Sequence, residues 1–171
     1  MTFLASIFGT KNDTAALRPL YDMVVANGRD PAWYREGGVP DTVDGRFDMV
    51  SAILSLVLLR LETEGDAARR ESVLLTEIFV ADMDASLRQI GIGDFVVGKH
   101  IGKMMSALGG RLGAFRSATE PDAQALAVRR NIFRDAPPAE EKVGWVADRL
   151  RAFETRLRET RLADLLEGKL K

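Results

Sequence analysis

The stretch ADMDASLRQIGIGDFVVGKH, residues 81–100, decides how the chain is read. It sets two aspartates, a run of glycines, a lysine and the only histidine close together. It is therefore a metal or phosphate centre, or else the joint between two helices. Helical geometry favours the joint. Residues two apart on a helix point about 200° away from each other, so Asp82 and Asp84 do not converge on a metal or on acid–base work. Asp84 stands four residues before Arg88, the orientation that favours an intrahelical ion pair. Asp82 has no such local partner, which leaves it for a distant basic residue or for display to a binding partner.

Within the same stretch, GDFVVGKH (residues 93–100) nearly fits the phosphate loop. His100 stands where a serine or threonine would have to hold magnesium, and the segment before it reads as a long amphipathic helix rather than a buried strand. Nucleotide binding through Gly93–Lys99 is kept as a rival reading. His100 lies between Lys99 and Lys103 with no nucleophile near it in sequence, so the expectation for it is structural.

The chain has 171 residues, 46% of them apolar and 29% charged, and a formal net charge of −1. That balance suits one globular domain with a sizeable core and argues against DNA binding through a basic surface. There is no cysteine, so disulfides, thiol nucleophiles and thiolate metal sites are excluded. No metal or cofactor is expected. The apolar run MVSAILSLVLL, residues 49–59, is well short of the roughly 20 residues that span a bilayer, and reads as a buried helix.

Helical periodicity dominates, and no alternating strand stands out. The expected fold class is all-α, a single-domain multi-helix bundle with short connections. Residues 1–12 form an arm, either flexible or packed, and residues 13–171 the helical domain. In the arm, Phe3, Leu4, Ile7 and Phe8 fall at helical spacing, suited to packing on the domain or lying on a membrane surface. Asp13 or Thr14 is expected to cap a helix running to Asn27-Gly28. Asp30-Pro31 opens a short helix carrying Trp33 and Tyr34, and Asp41 or Thr42 opens the central helix. Leu75, Phe79, Met83, Leu87 and Ile90 mark the stripe of the next helix. Gly91 closes that helix and Asp94 caps its successor. Further helices start at Pro121 and near Ala139, with a break near Thr160.

The helix expected at 95–117 carries Gly98, Gly102, Gly109, Gly110 and Gly113, each costing about 1 kcal/mol against alanine in a helix interior. Gly98, Gly102 and Ser106 step by four and form a seam of small residues. Either a neighbouring helix of the same domain fills that seam, or a foreign helix lies in it. Trp33 and Tyr34 suit an aromatic anchor for a partner or a pin to the core. The segment DRLRAFETRLRETR, residues 148–161, interleaves arginines with acids as a salt-bridged face. A ribosome- or lipid-associated adaptor using those arginines is the other rival reading.

The segments GGVPDTVDGRFDMV (37–50) and FVADMDASLRQIGIGDFVVGKHIGKMMSALGGRLGAF (79–115) resemble the ubiquinol–cytochrome c chaperone family. The signature pieces are the Pro40-Asp41-Thr42 corner, the Asp82-Met83-Asp84 run with Leu87-Arg88, and GIGD leading into a glycine-rich helix. The resemblance implies a helical, non-enzymatic assembly chaperone with cytochrome b or another bc1 subunit as client. It further implies the ribosome and a small companion protein as partners, and a place in the cytoplasm at the inner face of the membrane with room for peripheral membrane contact. Where the family pattern has a histidine and an aromatic in the central helix, this chain reads Ala52-Ile53-Leu54-Ser55, so no role carries over to that position. The contact or signature positions nominated on this basis are Trp33, Tyr34, Pro40, Asp41, Phe47, Asp82, Asp84, Arg88, Gly98 and Gly102.

Overall fold

The structure is a computed structural model that describes residues 11–89, 91, 93–134 and 137–171. Phe3, Leu4, Ile7 and Phe8 of the arm lie outside the described residues, as does Ile90. Every regular element among the described residues is helical, as the 3.6-residue periodicity predicts.

The first expected helix is two. α1 (Lys11–Ala16) and α2 (Arg18–Gly28) meet at Leu17, because Pro19 in the first turn of α2 has no N–H to continue the ladder. α3 (Ala32–Arg35) is a single turn. Asp30 starts it by accepting from the Ala32 N–H at 2.9 Å. α4 (Val43–Glu62) is opened by Thr42 rather than Asp41, the Thr42 hydroxyl accepting from the Gly45 N–H at 3.1 Å. Ten consecutive residues of α4, Met49 to Leu58, are buried. This helix is the axis of the bundle, packed against α2, α5, α6 and α8, and that explains the charge-free run. The hydroxyls of Ser51 and Ser55 inside it donate to the carbonyls of Phe47 and Ser51, each at 2.7 Å, so neither polar group is left unmet.

A 3₁₀ turn (Gly65–Ala68) leads into α5 (Arg69–Gln89), whose stripe Leu75, Phe79, Met83 and Leu87 is buried as expected. Gly91 adopts a φ of 85°, the left-handed conformation that ends a helix, and its N–H donates to the Arg88 carbonyl at 3.0 Å. α6 (Asp94–Ser117) then begins with Gly93, not Asp94, at the cap position. α7 (Pro121–Val128) passes into a π turn (Arg129–Phe133). α8 (Glu140–Glu159) and α9 (Leu162–Leu166) are divided at Thr160, where the break was expected. Among the described residues no helix is long and apolar enough to cross a membrane.

Candidate functional site

The stretch 81–100 belongs to two helices, α5 ending at Gln89 and α6 starting at Asp94. Residues 94–99 lie in α6, and a long helix rather than a strand precedes them. The rival phosphate-loop reading of Gly93–Lys99 thus lacks the strand-then-loop context that the motif needs among the described residues. The His100 imidazole stays on its own helix, with Nδ1 3.1 Å from the Val96 carbonyl. On α5 the two aspartates part company, as their spacing demands. Asp84 pairs with Arg88 at 2.7 Å, whereas Asp82 accepts from the Tyr21 hydroxyl at 2.7 Å and ties α2 to α5. Burial pushes the Tyr21 phenol well above its ordinary pKa, with the hydrogen bond and charge of Asp82 adding to the effect.

α6 has two unlike faces. Its inner face buries Val97, Leu108, Arg111 and Phe115 against the bundle. Its outer face carries Gly98, Gly102, Ser106 and Gly109, all exposed. A Cβ added at Gly98, Gly102, Gly109, Gly110 or Gly113 would meet nothing within 4 Å. The expectation that a neighbouring helix fills the seam is therefore wrong: the bundle packs on the adjacent apolar face and leaves the glycines outside. Lys99 and Lys103 flank the seam and are exposed.

A charge cluster that the sequence reading missed also ties α6 to α4. Asp48, on α4, accepts from the guanidiniums of both Arg111 and Arg134, the latter at 2.6 Å. Arg111 also donates to the Asn131 carbonyl at 2.8 Å, and its guanidinium lies 5.5 Å from the centre of the Phe47 ring. Asp48 and Arg111 are 2% exposed, yet Nε and Nη1 of Arg111 have no hydrogen-bond partner. Burial raises the Asp48 carboxyl, against the pull of the two arginines, and lowers Arg111. The only trace in the sequence is a carboxylate at the edge of an apolar run and an arginine between glycines. Nothing local shows that positions 48 and 111 meet.

The aromatic nominations fare differently. Trp33 is 2% exposed. Its indole N–H donates to the Asn27 carbonyl at 2.7 Å, its ring meets Trp145 edge-on at 5.9 Å, and Arg149 lies over both rings at 5.0 and 5.3 Å. Trp33 is a pin to the core and cannot act as an exposed anchor. Phe47 is likewise buried, its ring tilted against that of Phe79 with centres 6.0 Å apart. Tyr34 is half-buried with its hydroxyl on the Gly28 carbonyl at 3.1 Å. Pro40 and Asp41 are exposed, and Asp41 pairs with Arg46 at 2.7 Å. The nominated positions thus do not form one site: of the ten, Gly98 and Gly102 offer an open helix face.

The arginines of α8 are also engaged. Arg149 pairs with Asp30, Arg151 with Asp148 and Gln124, and Arg158 with Glu154, while Arg156 donates to the Lys171 carbonyl. This face is salt-bridged, as its interleaved charges predict.

The structure is thus a helical bundle built around a buried axis, with one long helix showing its small-residue face outward. The chain belongs to the ubiquinol-cytochrome C chaperone family, whose model matches residues 35–171. It is similar to the crystal structure of the Cbp3 homolog from Brucella abortus, with a TM-score of 0.80 and 30% identity over 94% of this chain and 92% of that one. No match is found among curated proteins.

Proposed function

We propose that this protein is a non-enzymatic chaperone for assembly of ubiquinol–cytochrome c reductase, the bc1 complex, and that cytochrome b is its client. Family membership over residues 35–171 carries this reading. The helical domain from residue 13 onward does the work, at the inner face of the cytoplasmic membrane. The client segment is an apolar helix laid along the outer face of α6. A backbone that exposes Gly98, Gly102 and Gly109 with no neighbour within 4 Å admits another helix at close range, as small-residue seams do between membrane helices. A chaperone needs such a face to be open before the client arrives, which accounts for glycines that cost helix stability and fill no internal gap.

Two measurements test it. Deleting the gene lowers the assembled bc1 complex and shortens the lifetime of cytochrome b; normal levels of both sink the function. A photoreactive residue at position 99 or 103, on the exposed flank of the seam, crosslinks in cells to cytochrome b, whereas one at exposed Arg69 on α5 does not. Equal yields at both places would remove the client from α6 while leaving the function standing.

A further inference from the structure

Clustered arginines in this protein usually come with acids. The cleft of about 590 Å³ between α4, α6 and α8 holds Arg60, Arg116, Arg151 and Arg158, and each has its carboxylate: Glu64, Glu62, Asp148 and Glu154 respectively. One hollow breaks that habit. It encloses about 430 Å³ and is lined by Arg29, Pro31, Tyr34, Arg35, Asp41 and Arg46. Arg46 has Asp41, but among the described residues Arg29 and Arg35 have no acidic partner. Three arginines therefore line a hollow that has one carboxylate, in a chain whose net charge is −1.

The hollow is also rigidly made. Its floor is Tyr34, fixed by its bond to the Gly28 carbonyl, and α3 beneath is pinned by Trp33 between Trp145 and Arg149. Arg29 follows Gly28, which packs so tightly on α4 that an added Cβ would lie 2.7 Å from the Val50 Cα. Exposed arginines gathered around one hollow bring like charges into one region, and an anion that takes several forked N–H donors offsets that.

We propose that this hollow binds a phosphate-type oxyanion through Arg29 and Arg35, with Arg46 shared between the ligand and Asp41. The ligand is a free phosphate anion or the phosphate of a lipid headgroup, which share that chemistry. This site is separate from the outer face of α6 and stands or falls apart from the chaperone reading.

The test uses the full chain. Pyrophosphate is titrated at constant ionic strength while the Arg Nε–Hε NMR signals are followed. In parallel, the protein is sedimented with vesicles of phosphatidylglycerol in phosphatidylcholine, or of phosphatidylcholine alone. A saturable shift at Arg29 and Arg35 identifies the free anion, and sedimentation only with phosphatidylglycerol identifies the headgroup. In either case Arg29→Gln with Arg35→Gln weakens binding by about tenfold or more. Lys99→Gln with Lys103→Gln removes the same charge from α6 and leaves binding intact. Absence of both signals, survival of binding in the arginine double variant, or equal loss in the two double variants overturns the proposal.

Discussion

Gly28 on α2 and Gly98 on α6 are the same residue put to opposite uses. At Gly28 an added Cβ would sit 2.7 Å from the Val50 Cα; at Gly98 it would meet nothing within 4 Å. The region around α2, α3, α4 and α8 uses glycine to bring backbones together, and Gly45, whose Cβ would lie 1.9 Å from the Pro40 carbonyl oxygen, belongs with it. α6 accepts the helix-weakening of five glycines without using that closeness inside the domain. A glycine that admits a neighbour is explained by the fold. One that faces open space is not explained by packing within the domain, and the client face proposed on α6 rests on that difference.

The contrast can be broken or sharpened by substitution. The largest effect is expected where the two regions are riveted together. Asp48→Ala leaves Arg111 buried without its carboxylate and should lower unfolding free energy by about 3–5 kcal/mol; denaturant titration checks it, and a loss below about 1 kcal/mol would mean that α6 is held by apolar contacts alone. Next comes Gly28→Ala, which forces α2 off α4 and should cost about 2–3 kcal/mol by overpacking, lowering the thermal midpoint by roughly 5–10 °C. The same change on α6 should act in reverse. Gly98→Ala with Gly102→Ala should stabilise the free protein by up to about 2 kcal/mol while lowering the crosslink yield to cytochrome b. If it destabilises instead, the outer face of α6 has a partner within the molecule and the comparison fails. The smallest effect is Asp84→Ala, which removes an exposed pair with Arg88 and should cost only about 0.3–0.5 kcal/mol in a thermal melt.

Much of the helical layout was legible because its signals are local. Thr42 caps from within its own turn, Gly91 ends a helix by its own conformation, and the Leu75–Phe79–Met83–Leu87 stripe repeats at the helical period. The Asp84–Arg88 pair and the separation of Asp82 from it follow from the pitch of one helix. Pro19 carried an equally local signal, and overlooking it merged two helices into one. The candidate site was less legible. The glycine seam shows in the order of residues, but which way it faces does not. Trp33 as anchor or Trp33 as pin depends on Trp145 and Arg149, more than a hundred positions away.

Order along the chain was thus enough to determine that this protein is a bundle of helices joined at tight elbows, with a family signature in the Pro40-Asp41-Thr42 corner and the 82–94 segment. Backbone conformation and amphipathic period act over a few residues, and a few residues are what a sequence displays. The outward turn of α6, the Asp48–Arg111–Arg134 cluster and the surplus of arginines at the α3 hollow were decided by tertiary packing. Each depends on which apolar face the rest of the bundle covers and on which distant charges that packing brings within reach.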